Sequence, residues 1–333
     1  MVSEFEMIAR HFAPLARGYA GAYGLLDDAA VISPSSGSEL VVKTDAIVGD
    51  IDFPPLALPG NIARKALRVN LSDLAAKGAR PRAYLVDLIV PAEVDEAWIA
   101  AFARGLADDQ REYDITLIGG DMSSTSGPIV VAVSAFGEAP VGRIIRRGGA
   151  RAHDGIFVTG TIGDAALGLA VLRAALPGLD SSSVAFLLHR YRLPQPRVAL
   201  GPELIGVATA GTDISDGLIA DLRHICEVSG LDAVIEAALV PLSRAACEAV
   251  TVDSRWLSTV LVGGDDYELL FTAPAAAAAR IDELSRSHGV PITRIGGMTD
   301  PSQSAGSRLV VLDRSGRQMA FPAEGWTHFG SRP

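Results

Sequence analysis

The chain alternates short β-rich runs with longer helical patterns along its length, and this alternation limits its fold more than any other feature. The apolar runs Ala83–Val90 and Ile129–Phe136 are strand-sized, whereas Gly60–Lys77 and Val94–Arg111 have helical periodicity. Such alternation favours an α/β or α+β class. The other predicted strands are Leu40–Val42, Ile115–Ile118, Ile156–Thr159, Ala233–Ile235, Tyr267–Thr272 and Leu309–Leu312. The other predicted helices are Ser3–Ala16, Asp164–Ala175, Gly217–Ser229 and Ala275–His288.

The length of the chain and one segment rich in helix and strand breakers indicate two domains. At roughly 150 residues per domain, a chain of 333 residues is long enough for two. The segment from Glu138 to Gly149 follows a predicted strand and contains Pro140 and Gly142, which are typical of a link. We therefore predict an N-terminal domain over residues 1–145 and a C-terminal domain over residues 146–333.

The charge balance limits the class of ligand. The chain has 29 Lys and Arg against 39 Asp and Glu, a formal charge of −10. It lacks the broad basic surface that a nucleic acid requires, but a small phosphorylated ligand is compatible if metal ions lie between ligand and protein. The N-terminus has no secretory apolar region, and no apolar run approaches the roughly 20 residues of a membrane span. We expect a cytoplasmic protein that binds neither nucleic acid nor membrane.

Familiar nucleotide and catalytic motifs are absent from the sequence. The lysines are Lys43, Lys65 and Lys77, and none of them follows a glycine, so there is no P-loop. The protein-kinase catalytic loop and the Gly-x-Ser-x-Gly elbow are also absent, and the histidines lack zinc-ligand spacing. Cys226 and Cys247 are too few for a disulfide framework.

Aspartates are placed repeatedly at breaks between apolar segments. Strand ends and strand-to-helix turns are where α/β proteins gather ligand groups, and carboxylate oxygens suit Mg²⁺, which often bridges to substrate phosphates. Several carboxylates converging on one site would repel one another unless cations were bound there. The aspartates at such breaks are Asp27, Asp28, Asp45, Asp121, Asp213, Asp216, Asp265 and Asp266.

Two interpretations of these aspartates stay open on spacing alone. Taken singly, each aspartate is more typical of a helix cap or a turn, and Asp216 before Gly217 is a credible N-cap. Taken together, they favour metal-dependent phosphate chemistry. On the predicted helix Gly60–Lys77, Asn70 and Asp73 border the apolar face. They could project into a cleft or form a solvated border.

Several longer motifs carry a resemblance to a known enzyme family. They are Leu25-Leu-Asp-Asp-Ala-Ala-Val31, Lys43-Thr-Asp45, the run from Ala66 to Ala79, Leu117-Ile-Gly-Gly-Asp121, the run from Val158 to Gly168, Asp213-Ile-Ser-Asp-Gly217, the run from Gly263 to Phe271, and Gly325-Trp-Thr-His-Phe329. In these motifs and in their order the chain resembles thiamine-monophosphate kinase, from about residue 4 to residue 329.

The resemblance implies a fold, an activity and an assembly. The implied fold is that of the aminoimidazole ribonucleotide synthetase superfamily, with an N-terminal α/β domain that binds ATP and Mg²⁺ and dimerises. A C-terminal α+β domain completes the active-site cleft. The implied activity is ATP-dependent phosphorylation of thiamine monophosphate to thiamine diphosphate with several Mg²⁺ ions. The implied assembly is a homodimer.

The resemblance also implies roles for individual residues, and Asp121 and Asp213 are the two on which we expect turnover to depend. The implied Mg²⁺ ligands are Asp28, Thr44, Asp45, Asp73, Asp121, Asp213 and Asp216. The implied ATP contacts are Tyr113, Gly120, Arg147 and Ser215. The implied contacts to the thiamine substrate are Asp52, Asp265 and Trp326.

The chain departs from the family pattern mainly on the substrate and outer-metal side. Leu26 replaces a glycine and Lys43 replaces a Ser or Thr that helps to bind metal; its ammonium could substitute for one cation or touch phosphate. Asp52 replaces a histidine, Asp265 replaces a glutamate, and Met122-Ser123 replaces Thr-Thr. An enzyme of the same superfamily with another small phosphorylated acceptor, or with cyclo-ligase-type chemistry, is therefore one alternative. A non-catalytic nucleotide-binding protein is the other.

Overall fold

The computed structural model describes residues 3–302, 309–321 and 325. Its contacts divide the chain into two compact units. The first unit comprises Met1–Leu74 and Ala79–Gly142, and the second comprises Ala75–Gly78 and Arg143–Pro333. In the described part of the chain, no helix has the length and apolar character needed to cross a membrane.

The first unit is built on a mixed sheet with two long helices. Its elements are α1 (Glu4–Met7), β1 (Ser38–Val48), α2 (Pro59–Ala76), β2 (Arg80–Pro91), α3 (Glu96–Tyr113), β3 (Thr116–Thr125) and β4 (Val130–Pro140). The strand order is β1-β4-β2-β3. The pairs β1–β4 and β4–β2 are antiparallel, whereas β2 and β3 are parallel because α3 crosses between them.

Helix α2 buries one apolar stripe and joins α3 through charges. Leu67, Leu71 and Leu74 recur at helical spacing and are fully buried. On a neighbouring stripe, the Arg68 guanidinium donates two hydrogen bonds of 2.7 and 2.8 Å to the buried carboxylate of Asp109 on α3. The apolar stripe forms the core of the unit, and the ion pair fixes α2 against α3.

The second unit contains a larger mixed sheet surrounded by shorter helices. Its elements are β5 (Gly155–Thr159), α4 (Asp164–Leu172), α5 (Ser181–Arg192), β6 (Ala210–Asp213), α6 (Leu218–Ser229), β7 (Asp232–Glu236), α7 (Arg244–Val252), α8 (Trp256–Val262), β8 (Leu269–Ala273), α9 (Ala278–His288), β9 (Ile292–Thr299) and β10 (Leu309–Leu312). The strand order is β10-β7-β9-β5-β8-β6, and β10–β7 is the parallel pair among these.

These elements confirm the predicted α/β (α+β) class, with differences in detail. The predicted helix Ser3–Ala16 is α1 followed by a π-helical turn and a 3₁₀ turn, because Pro14 lacks the N–H that a continuous α-helix requires. Strands β1 and β3 also run further than predicted. Asp45 and Asp121 therefore lie inside edge strands rather than at strand ends.

Candidate functional site

A cavity of about 670 Å³ in the first unit is lined by two of the predicted metal ligands. Asp28 and Asp121 both line it, together with Asp27 and Asp87, and most of the remaining lining residues are apolar. Asp28 and Asp121 are exposed, and the Ser123 hydroxyl donates a hydrogen bond of 2.8 Å to Asp121. An apolar cavity with a few acidic groups is a typical ligand site.

Gly120, a predicted ATP contact, lies on the same cavity and must be a glycine. Its φ is 149°, and a Cβ atom at this position would lie 1.9 Å from the carbonyl oxygen of Val86. No side chain fits at that distance. The close approach of β3 to β2 therefore depends on Gly120, and it places Asp121 directly after a backbone conformation that only glycine adopts easily.

The strand register separates Asp45 from Asp121. Asp121 is paired with Asp87, and Asp87 is paired with Ala132. Asp45 is paired with Val133, the residue after Ala132. Because paired residues share a face and successive residues on a strand alternate between faces, Asp45 and Asp121 leave opposite faces of the sheet. The predicted ligands of the first unit thus form two groups.

The second of these groups is centred on a lysine. Lys43 Nζ lies 3.0 Å from Oδ2 of Asp73 on α2 and 3.6 Å from Oδ2 of Asp45 on β1. The Asp73 side chain is 19% exposed and that of Asp45 is 49% exposed. A cation supplied by the chain therefore lies between two carboxylates that the sequence predicts to be metal ligands.

Two other predicted residues of this unit use their polar atoms locally. The Thr44 hydroxyl donates to the carbonyl oxygen of Val133 at 3.3 Å and accepts from Ser134 at 3.1 Å. The Asp52 carboxylate accepts the N–H of Val48 at 2.8 Å. These bonds stabilise the β1–β4 pair and the turn that follows β1.

Tyr113, a predicted ATP contact, is the last residue of α3. The guanidinium carbon of Arg68 lies 5.1 Å from the centre of the Tyr113 ring, within the range of a cation–π contact. Burial raises the pKa of Tyr113 above its ordinary value. The phenol is therefore neutral at physiological pH and presents an aromatic ring with one polar end.

In the second unit, a single carboxylate holds the turn that carries three predicted site residues. Asp213 ends β6 and is buried, and Ser215 and Asp216 follow before α6 begins. Oδ2 of Asp221 on α6 accepts the N–H groups of Ser215, Asp216 and Gly217 at 3.0, 3.1 and 3.2 Å. Three bonds to one oxygen fix the backbone of the turn.

Asp221 was not among the residues predicted from the sequence. Its burial, followed by the charges of Asp213 and Asp216, raises its pKa to about 8. Little in the sequence indicates this role, because an acidic residue in the first turn of a helix is common. Its contact to the turn depends on how α6 packs back onto β6, which spacing does not reveal.

The segment that contains Asp265 is bound to this same turn. The Asp265 N–H donates to the carbonyl oxygen of Ser215 at 2.8 Å, and the Tyr267 N–H donates to that of Ile214 at 2.8 Å. The Tyr267 hydroxyl donates to Oδ1 of Asp265 at 3.2 Å. Asp265 and Tyr267 have positive φ values of 71° and 51°. This strain is typical of functional sites, and the segment brings Asp265 beside Ser215.

A buried ion network anchors the segment on its other side. The carboxylate of Asp266 accepts the N–H of Gly163 at 2.6 Å, and burial raises the pKa of Asp266 well above its ordinary value. Glu268 is fully buried and accepts hydrogen bonds from Arg190, Arg197 and Thr159. The position of Asp265 therefore depends on two neighbouring carboxylates, Asp266 and Glu268, that have almost no solvent contact.

Arg147, the remaining predicted ATP contact, lies close to the same strand. Its Nε donates to the hydroxyl of Thr212 at 3.2 Å, and Thr212 precedes Asp213 on β6. Arg147 is exposed. The second unit therefore brings Arg147, Asp213, Ser215, Asp216 and Asp265 into one neighbourhood. Arg147 is the cation of this group, and Asp213, Asp216 and Asp265 are its carboxylates.

No tight metal-binding cluster is present among residues 3–302, 309–321 and 325. Within these residues, no group of three or more His, Cys, Asp or Glu side chains is placed to hold a metal ion. The predicted ligand roles stay predictions. Trp326, the third predicted substrate contact, lies outside the described residues.

Comparison with family models divides the chain at the same region as its contacts do. Residues 26–139 match the AIR synthase related protein, N-terminal domain, and residues 151–307 match the AIR synthase related protein, C-terminal domain. The two matches cover most of the chain and confirm the two-domain α/β fold expected from the sequence.

Comparison with curated proteins and solved structures gives relatives over nearly the full length. The chain is 39% identical to a thiamine-monophosphate kinase of Escherichia coli over 329 residues, which are 98% of each protein. A crystal structure of thiamine-monophosphate kinase from Stenotrophomonas maltophilia has 39% identity and a TM-score of 0.78, covering 86% of this chain and 89% of that one. A structure of AaThiL complexed with AMPPCP and TMP has 27% identity and a TM-score of 0.76, covering 93% and 97%.

Proposed function

The chain belongs to the thiamine-monophosphate kinase family, and on this premise we propose that it phosphorylates thiamine monophosphate with ATP. A terminal phosphate oxygen of thiamine monophosphate attacks the γ-phosphorus of ATP, the bond to the β–γ bridging oxygen breaks, and thiamine diphosphate and ADP result. The observation that carries this proposal is the 39% identity to a kinase of this name over 98% of both chains. The related structure with AMPPCP and TMP supports it.

Direct phosphoryl transfer requires the protein to position the substrates and to neutralise their charge, and it requires no covalent intermediate. Both substrates are anionic and the chain itself has a net charge of −10. Cations are therefore needed between the substrate phosphates and the protein carboxylates. Mg²⁺, when bound, would supply this neutralisation. The side chains of this enzyme would hold the two substrates in line, and its carboxylates would bind those cations.

Oxygen donors fit Mg²⁺ at two places in the chain. Asp28 and Asp121 line the same cavity in the first unit. Asp213 and Asp216 flank the turn held by Asp221 in the second unit, where Oδ1 of Asp221 is buried without a hydrogen-bond partner among the described residues. We propose Asp28, Asp121, Asp213 and Asp216 as Mg²⁺ ligands and expect Asp121 and Asp213 to be indispensable.

The donor set around β1 does not fit in the same way. Lys43 already supplies an ammonium to Asp45 and Asp73, and the hydroxyl of Thr44 is bonded to Val133 and Ser134. We assign no Mg²⁺ ion to these three predicted ligands.

We propose nucleotide contacts for each unit separately, namely Arg147 and Ser215 in the second unit and Tyr113 and Gly120 in the first. Arg147 is an exposed guanidinium, which binds phosphate with paired N–H donors. Ser215 offers a hydroxyl on the turn that Asp221 fixes. Gly120 is a proposed backbone contact on the cavity of the first unit, and the ring of Tyr113 is suited to stacking.

The acceptor would be recognised through negative charge near its cationic thiazolium ring. The proposed carboxylates are Asp52 in the first unit and, separately, Asp265 in the second unit, where the hydrogen bond from Tyr267 orients Asp265. We also propose that Trp326 stacks on the thiazolium ring. We further propose that the enzyme is a cytoplasmic homodimer with no nucleic-acid or membrane partner.

The test is a coupled assay of ADP release with Mg-ATP, with and without thiamine monophosphate, in which the product is identified by mass. Formation of thiamine diphosphate by the unmodified protein, and its loss in Asp213→Asn, is the expected result. Nucleotide binding without this product would refute the proposed acceptor and favour another phosphorylated metabolite. Calorimetry that detects no Mg-ATP binding at millimolar nucleotide would refute a kinase of any kind.

A further inference from the structure

Lys43 is placed by two secondary-structure elements so that its ammonium lies between two carboxylates. Lys43 and Asp45 are two residues apart on β1 and therefore share one face of the sheet. Asp73 projects from α2, which packs on that face, and its Oδ2 lies 3.0 Å from Lys43 Nζ. This distance is typical of a charge-assisted hydrogen bond.

The two carboxylates differ in their exposure to solvent, and Asp73 is the more buried of the two. The side chains of Asp73, Lys43 and Asp45 are 19%, 31% and 49% exposed. Without a cation, Asp45 and Asp73 would repel each other in a partly desolvated place. The ammonium of Lys43 removes this repulsion because it neutralises one of the two charges.

An ammonium and a divalent ion exclude each other at such a pair. Mg²⁺ requires oxygen ligands at about 2.0–2.1 Å and accepts no ammonium ligand, and a second cation beside Lys43 would be repelled by it. Among the described residues, no third acid, histidine or cysteine completes a metal-binding group here. The lysine therefore fills the role that a metal ion has at other paired carboxylates.

We infer that Lys43 is a built-in monovalent cation that takes the place of a divalent ion between Asp45 and Asp73. In consequence, the enzyme binds one divalent ion fewer than it would with a hydroxyl residue at position 43. Charge balance in this part of the first unit is then independent of the Mg²⁺ concentration. The inference builds on the proposed Mg²⁺ dependence, but it concerns ion binding alone and is tested without nucleotide or acceptor.

The experiment counts Mn²⁺ ions bound per chain by electron paramagnetic resonance, with Mn²⁺ as the probe for hard oxygen sites. We expect Lys43→Ser to bind one Mn²⁺ more than the unmodified enzyme. Lys43→Arg, which keeps the cation, should bind the same number as the unmodified enzyme. The double variant Lys43→Ser/Asp73→Asn should lose the additional ion.

A second measurement does not depend on the folding of Lys43→Ser. In the background with Lys43 present, Asp73→Asn should leave the Mn²⁺ count unchanged, because Asp73 binds the ammonium and no metal. The loss of one Mn²⁺ in Asp73→Asn would overturn the inference. Equal counts for the unmodified enzyme and a folded Lys43→Ser would overturn it as well. Failure of the kinase assay would bear on the acceptor and would leave these counts unaffected.

Discussion

Glu268→Gln removes the negative charge from the centre of the buried ion network in the second unit. Glu268 is fully buried and accepts hydrogen bonds of 2.9 Å from Nη2 of Arg190, 2.6 Å from Nε of Arg197 and 2.7 Å from the hydroxyl of Thr159. A second bond joins Nη2 of Arg197 to the same carboxylate. Glutamine has nearly the same shape but one acceptor oxygen in place of two, and its amide N–H groups would face an arginine.

The expected loss of stability can be worked from these bonds. Each hydrogen bond to a charged group contributes about 1.5–3 kcal/mol, and glutamine would keep roughly half of them. Breaking a buried ion pair on one side costs about 3–5 kcal/mol. Asp164, whose Oδ2 lies 3.9 Å from Nε of Arg190, offsets part of the uncompensated charge. We therefore expect Glu268→Gln to lower the free energy of unfolding of the second unit by about 3 kcal/mol.

The assay is native-state hydrogen exchange in urea, read on peptides from β5 and β8, because these strands lie in the second unit and report on its opening. The control is Glu283→Gln, the same chemical change in the exposed pair with Arg280, where a surface pair contributes about 0–1 kcal/mol. A loss of less than about 1 kcal/mol in Glu268→Gln would refute the reasoning. It would show that Asp164 compensates the charge of Arg190 and that solvent stabilises the partly exposed Arg197.

Three further predictions concern single residues. Burial raises the pKa of the Cys226 thiol to about 12, whereas Cys247 is exposed. A disulfide reagent at pH 8 should therefore modify one thiol per native chain rapidly, and Cys247→Ser should abolish this reaction. Rapid modification of two thiols per chain would contradict this prediction. The pKa of Asp221 is raised to about 8 from an ordinary value of 3.8, which means that the folded state binds a proton that the unfolded chain releases. The stability from this proton is present below about pH 4 and is lost as the pH rises to about 8. In urea titrations with EDTA, Asp221→Asn should flatten this decline, and an unchanged slope would show that the native carboxyl is ionised. Asp121→Asn and Asp213→Asn should each abolish formation of thiamine diphosphate with unchanged circular dichroism, and near-normal rates would remove that residue from the proposed ligands.

The periodicity of the sequence predicted several elements with large apolar faces, and it missed the helices α5, α7 and α8 and the strands β6 and β9. Strand β2 and helix α2 were predicted to within a few residues, because each buries branched or leucine side chains on a regular face. Strand β6, Ala210–Asp213, consists of Ala, Gly, Thr and Asp, and it becomes a strand because it pairs with β8. Strand β9 contains Gly296 and Gly297 and was missed for a similar reason.

The candidate site was predicted as a set of residues but not as an arrangement. Spacing identified Asp213 and Asp265 separately, and only the fold places the N–H of Asp265 on the carbonyl oxygen of Ser215. The role of Asp221 depends on the return of a helix onto the turn before it. The sequence raised the possibility that Lys43 replaces a cation, whereas the identity of its two partners required β1 and α2 to be seen together.

The pairing of β1 with β4 has a consequence for the growing chain. Residues 38–48 pair with residues 140–130. About 90 residues must therefore be added to the growing chain before β1 can pair with β4. At 5–20 residues per second, this takes about 5–20 s. During this time β1 is an unpaired strand, the kind of segment that associates with other chains. Lys43 and Asp45 place charges in the middle of it, and charged side chains on an unpaired strand discourage such association. Lys43, which holds two carboxylates together in the folded enzyme, and Asp45, which is one of them, thus also disfavour association of the nascent strand until β4 has been made.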